Sequence, residues 1–140
     1  MSDLSAFYSQ NVAAEETEEF VVSERFKGKD GSPIPWTLRS ISASEDEEFR
    51  KAATRRTKGK GGHQVTETVT EEYLAKVAVA CVTFPNLKDL ELQRSYGVLG
   101  AENLLRKMLL AGEYVLLIQK VQEINGYDKD LNDLIEEVKN

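Results

Sequence analysis

Two glycines, Gly97 and Gly100, stand just before a strongly apolar run in "LQRSYGVLGAENLLRKML", residues 92–109. Glycines feeding a helix N-terminus bring backbone amides to a phosphate, so the stretch raises the question of nucleotide chemistry. A phosphate loop also needs a lysine and a Ser or Thr at set spacing after a strand. Here the glycines follow a helical pattern, and neither residue is in place. They read instead as the end of one helix and the release of the next, with Glu102 near the positive end of the second.

Other residues with chemical potential are similarly placed. The run "RKAATRRTKGK", residues 50–60, gathers Arg50, Lys51, Arg55, Arg56, Lys58 and Lys60 with no acid among them. It reads as a helix C-terminus, where cations complement the macrodipole, leading into a solvated loop of Gly59, Gly61 and Gly62. The alternative is a small nucleic-acid-binding regulator using residues 50–60, but no stacking aromatics or reading helix accompany the run. Residues 90–107 have the outline of a helix-turn-helix, yet the second helix presents Glu102 and Asn103 with only Arg106 and Lys107 as positive charge. The single cysteine, Cys81, lies in the apolar run "VAVACV", and the single histidine, His63, lies in the glycine-rich loop, so no thiol–imidazole pair is indicated. One Cys and one His do not make a structural zinc site, and the acids lack EF-hand spacing. The adjacent pairs Glu15-Glu16, Glu18-Glu19, Glu47-Glu48 and Glu136-Glu137 read as solvated faces. The residues thus indicate no catalytic site, no metal and no cofactor.

These groups sit in a chain of 140 residues with net charge −6, long enough for one ordinary domain with a real core and no disulfides. The N-terminus lacks a basic stretch followed by an apolar core, and no segment reaches the length of a membrane span, so a soluble cytosolic protein is expected. The net negative charge argues against wholesale nucleic-acid binding.

Residues 1–18 carry Asp3, Glu15, Glu16 and Glu18 and no base, and read as a flexible acidic tail. From Glu19 onward a single α+β domain, 19–140, is expected. Phe20, Val22 and Phe26, and then Ile34, Trp36 and Leu38, alternate at period two around the turn signal Asp30-Gly31, which predicts a β-hairpin over 19–41. The helical part, 43–140, should form a bundle of five to six helices. Its first helix opens with a capping box, Ser44 to Glu47, and turns Phe49, Ala52 and Ala53 inward. A second box, Thr68 to Glu71, opens "EEYLAKVAVACVTF", whose stripe is Tyr73, Leu74, Val77, Ala78 and Cys81, and Pro85 stops it. "NLKDLELQRSYG" closes at Gly97, and "GAENLLRKMLLAGEY" buries Leu104, Leu105, Met108 and Leu109 with Gly112 as punctuation. Tyr114, Leu117, Ile118, Val121 and Ile124 then continue to Gly126, and a last helix over 128–140 carries Leu131, Leu134, Ile135 and Val138.

The blocks "LSAFYSQN" (4–11), "VVSERFKGKDGSPIPWTLRSIS" (21–42), "YLAKVAVACVTFPNLKDLELQRSYGVLGAENLLRKMLLAGEY" (73–114) and "VQEINGYD" (121–128) resemble the tail assembly chaperones of tailed phages and Gram-positive prophages, the XkdN-like type. The resemblance runs through most of the chain in the same order. It implies a protein without enzymatic activity, made in the host cytoplasm and absent from the mature virion. Such a protein binds the tape measure protein and keeps it soluble until tail tube subunits polymerise around it. It further implies the tape measure protein as partner, contact with the tail tube protein, and room for a homo-oligomer, with no membrane and no nucleic acid. A keeper of exposed apolar helices needs apolar surface of its own inside an acidic exterior. The surfaces offered for such contact are Tyr114, Leu117, Ile118 and Val121, and on the terminal helix Leu131, Leu134, Ile135 and Val138. The competing reading packs the same stripes into the domain's own core.

Overall fold

The computed structural model describes residues 3–13 and 17–127, so the helix expected over 128–140 lies outside the described residues. In chain order the elements are β1 (Glu18–Phe20), β2 (Trp36–Leu38), α1 (Ala43–Ala52), β3 (Thr54–Lys58), β4 (Gln64–Thr68), α2 (Thr70–Cys81), β5 (Val82–Phe84), α3 (Leu90–Ser95), α4 (Ala101–Met108) and α5 (Ala111–Ile124). This is the expected α+β class, with two small antiparallel sheets, β1-β2-β5 and β3-β4.

The first expected hairpin is present. Phe20 lies opposite Trp36 and Glu18 opposite Leu38, and alternation buries Trp36 and Leu38 while leaving Thr37 at the surface side. Asp30-Gly31 makes the turn: Gly31 takes a φ of 82°, and its N–H donates to the Gly28 carbonyl at 3.0 Å. The Asp30 carboxylate accepts from the Ser32 N–H, also at 3.0 Å. Phe26, on the connection, sets its ring 6.1 Å from that of Trp36.

The sheet has a third strand that the sequence pattern does not predict. Helix α2 stops at Cys81, and Val82–Phe84 leaves it to pair with β2, Val82 opposite Leu38. Val82 and Thr83 are β-branched, and the Arg39 N–H just beyond β2 donates to the Cys81 carbonyl at 2.8 Å. The expectation of helix through Phe84 is therefore corrected.

A second correction concerns residues 54–68. What reads as a basic loop is a hairpin, in register from Thr54 opposite Thr68 to Lys58 opposite Gln64. Thr54, Thr57, Val65, Thr66 and Thr68 favour strands, and Gly61 and Gly62, with φ of 82° and 80°, turn the chain between them.

The helix starts also shift. The box at α1 is Ser42–Glu45, not Ser44–Glu47: the Glu45 N–H donates to Ser42 Oγ at 3.2 Å and the Ser42 N–H to Glu45 Oε1 at 3.2 Å. Glu45 is claimed by Arg39 at 2.9 Å, which holds the earlier turn. At α2 no side chain caps the start. Thr68 instead finishes β4, where its hydroxyl meets that of Thr54 at 2.9 Å, so the expected box with Glu71 does not form. Between α4 and α5 the break falls at Leu109-Leu110, and Gly112 lies inside the first turn of α5. The Glu113 carboxylate accepts the Leu110 N–H at 2.8 Å, which fixes the helix start ahead of the glycine.

Helix α2 is central and touches α1, α4 and α5. One apolar cluster joins Val22, Trp36 and Leu38 to Tyr73, Val77, Ala78 and Cys81 of α2, to Leu104, Leu105 and Met108 of α4 and to Leu117 and Val121 of α5. Polar links tie α5 across the sheet: Lys120 pairs with Glu18 at 2.6 Å, and Asn125 Oδ1 accepts the Ile41 N–H at 2.9 Å.

Candidate partner-binding surface

The glycine stretch holds chain, not ligand. Gly97 takes a φ of 68° just past α3. Its N–H donates to the Arg94 carbonyl at 2.9 Å and the Val98 N–H to the Gln93 carbonyl at 3.1 Å, the paired bonds of a Schellman close. Gly100, at a φ of 96°, opens α4, and its N–H donates to Gln93 Oε1 at 3.0 Å. Gln93 is buried, and its Nε2 donates to the Leu87 carbonyl at 2.9 Å. The amide that a phosphate would need is thus bound by a buried side chain of the preceding helix.

One titratable cluster stands out that the sequence reading passes over. Asp46 of α1 accepts from the hydroxyls of Tyr73 on α2 and Tyr127 beyond α5, the latter at 2.9 Å, and from Arg50 Nε at 3.0 Å. The Arg50 guanidinium stacks over the Tyr73 ring at 4.7 Å. Burial pushes the Asp46 carboxyl up, but the hydrogen bonds from Tyr73, Arg50 and Tyr127 outweigh it and hold the group below its ordinary value. Tyr73 is raised, by burial first and then by its bond to Asp46. The donors and the acceptor satisfy one another, so the cluster clamps α1, α2 and the end of α5 together. Cys81 is fully buried, with burial raising its thiol pKa.

A second charged joint makes a pH prediction. Arg25 reaches both oxygens of Glu113, and its Nη2 donates to the Met108 carbonyl at 2.9 Å. The Arg25 hydrogen bond, with further bonds from Ser23 and the Leu110 N–H, overcomes burial and brings Glu113 from 4.5 down to about 2. A carboxyl lowered on folding adds stability above its unfolded pKa and loses it as pH falls toward the folded one. Unfolding stability should therefore decline between about pH 5 and pH 2. Glu113→Gln should flatten that decline and lower neutral-pH stability by about 1 kcal/mol, since water screens the half-exposed arginine. Urea unfolding across that pH window checks both, and an unchanged slope in the variant would count against the assignment.

The stripe offered for partner contact divides. Leu117 and Val121 are buried in the chain's own core, whereas Tyr114 and Ile118 are half-buried at its rim. Ile118 and Val121 line a cleft of about 160 Å³ between α2 and α5, with Tyr73, Leu74, Val77 and Tyr127. On α5 the outward apolar residues are Val115, 53% exposed, and Leu116, 51% exposed. A helical-period reading misses these two because they fall off the i, i+3, i+4 pattern. Leu131, Leu134, Ile135 and Val138 lie outside the described residues. Among the described residues, no helix is long and apolar enough to cross a membrane.

The family model described as "Phage XkdN-like tail assembly chaperone protein" matches residues 4–139. The uncharacterized protein YqbN of Bacillus subtilis (strain 168) is 35% identical over 140 residues, covering 99% of this chain and 93% of YqbN. The phage-like element PBSX protein XkdN of the same organism is 30% identical over 139 residues, covering 99% of this chain and 94% of XkdN. The crystal structure of the protein YqbN superposes with a TM-score of 0.77 at 27% identity, spanning 90% of this chain and 98% of that one. The chain belongs to the XkdN-like family of phage tail assembly chaperones.

Proposed function

We infer that this chaperone acts in the host cytoplasm, without catalysis, by holding the tape measure protein soluble until tail tube subunits displace it. The observation that carries the reading is the apolar rim of α5: Val115 and Leu116 face outward, while Ile118 lines an open cleft between α2 and α5. An apolar rim beside a shallow cleft suits an amphipathic helix laid along it, through many modest contacts that a polymerising tube can replace. Leu131, Leu134, Ile135 and Val138 repeat the apolar spacing on the segment that follows and belong to the same proposed surface.

Two double variants test the assignment, Val115→Ser with Leu116→Ser and Leu134→Ser with Ile135→Ser. Each should leave the circular dichroism spectrum native and reduce capture of co-expressed tape measure protein by about tenfold, the loss of one to two kcal/mol of contact. Native spectra with undiminished capture in both variants would remove these residues from the interface.

A further inference from the structure

Among the described residues the β3–β4 hairpin buries almost no surface: every residue of β4 is exposed, and in β3 only Thr54 is half-buried. A two-stranded hairpin with no surface beneath it is marginal in water, so this one stands ready for a partner.

Its register sorts the side chains onto two unlike faces. On one, Arg55 is opposite Glu67 and Thr57 opposite Val65, and Arg55 also pairs with Glu72 at 2.6 Å. That face is neutralised. On the other, Thr54, Arg56 and Lys58 lie opposite Thr68, Thr66 and Gln64. No carboxylate stands on it, and among the described residues Arg56, Lys58 and Lys60 have no ion-pair partner.

The hairpin grows from the C-terminal end of α1, whose last turn carries Arg50 and Lys51. The first half of the same helix carries Glu45 and Asp46 in its first turn, with Glu47 and Glu48 following at mid-helix. Arg39 and Arg50 engage the first two, whereas Glu47 and Glu48 are exposed and unpaired among the described residues. Exposed anions in the middle of α1 and exposed cations on the arm that follows it thus form two oppositely charged patches on one molecule. A molecule with two complementary patches of this kind meets its own copy head to tail.

We propose that the Arg56 and Lys58 face of the β3–β4 hairpin is a self-association arm that docks on Glu47 and Glu48 of α1 in a second copy of this chain. Charge balance favours a protein partner over nucleic acid: all 24 acids of the chain lie outside residues 50–60. Glu67, Glu71 and Glu72 also flank the arm, and residues 54–68 contain no Phe, Tyr or Trp to stack on bases.

Sedimentation velocity at about 50 mM and about 500 mM salt tests this without any tape measure protein, so its failure is separate from failure of the chaperone reading. The wild-type chain should associate at low salt, with the dissociation constant rising about tenfold or more at high salt. The variants Arg56→Glu with Lys58→Glu and Glu47→Lys with Glu48→Lys should each be monomeric with native circular dichroism. Mixed in equal amounts they should associate again, since each supplies the charge the other lacks. A wild-type chain that stays monomeric at low salt, or a mixture that fails to restore association, overturns the proposal. So does a gel shift of duplex or single-stranded nucleic acid that the wild type makes and the Arg56→Glu, Lys58→Glu variant loses while sedimentation is unaltered, which would make the arm a nucleic-acid contact.

Discussion

Replacing Trp36 with alanine is expected to lower unfolding stability by about 3–5 kcal/mol, as large aromatic truncations in a closed core do. Trp36 is 2% exposed and sits where the two halves of the fold meet. Phe20 is its cross-strand neighbour, Phe26 packs on its ring, and the buried residues of α2 and α4 belong to the same cluster. Removing the indole therefore unseats the sheet from the helices as well as opening a cavity. Since a domain of this size is stable by only about 5–15 kcal/mol, the loss is a large share of the whole. Trp36 is the chain's one tryptophan, so the measurement should follow urea unfolding by far-ultraviolet circular dichroism instead of fluorescence. A midpoint within error of wild type would mean that the helices hold the core without the sheet.

Gln93→Leu should cost about 2–4 kcal/mol although it keeps the side-chain volume nearly constant. The amide of Gln93 satisfies two backbone groups at once, the Leu87 carbonyl ahead of α3 and the Gly100 N–H at the start of α4. A leucine leaves both without partners in a buried setting, at about 1–3 kcal/mol each. Gln93→Ala should lose a similar amount, and near-equality of the two variants is the diagnostic. If leucine restored stability, packing and not hydrogen bonding would explain why a polar residue is buried here. The same measurement bears on the glycine turn, because Gly100 keeps its φ of 96° with its amide tied to Gln93.

Much of the local structure was legible from residue types. Gly97 and Gly126 both fall where helices close, each with the positive φ that glycine accepts without strain. Asp30-Gly31 turns the first hairpin, and alternation identifies Trp36 and Leu38 as its inward residues. Of the expected α2 stripe, Tyr73, Val77, Ala78 and Cys81 are buried as their spacing implies, and Leu74 is half-buried against them. The less legible stretches share a cause. In "RRTKGKGGHQVTET" the cations conceal a Thr and Val alternation whose meaning depends on a partner strand ten residues away. In "VAVACVTF" an unbroken apolar run fits helix and strand equally, and only β2, already placed by the first hairpin, draws Val82–Phe84 out of the helix.

For the candidate surface the division is finer. Spacing grouped Tyr114, Leu117, Ile118 and Val121 on one side of α5, and the fold splits that side into a buried seam, Leu117 and Val121, and a rim, Tyr114 and Ile118. In the clamp of Asp46, Tyr73, Arg50 and Tyr127 only the Asp46–Arg50 spacing of four on α1 is legible in sequence, because Tyr73 and Tyr127 reach Asp46 only after packing.

By itself the sequence determined the α+β class, the helix ends marked by glycine, the burial of Trp36 and Cys81, and blocks distinctive enough to carry the family. These follow from properties each residue or short run has alone: allowed φ, apolar periodicity, side-chain volume. Tertiary structure decided where α2 yields to β5, that residues 54–68 form a two-faced arm, which half of the α5 stripe is spent on the core, and that Gln93 occupies the amide of Gly100. Each of those depends on a partner distant along the chain or across a helix boundary, and only close packing brings that partner within hydrogen-bonding or van der Waals reach.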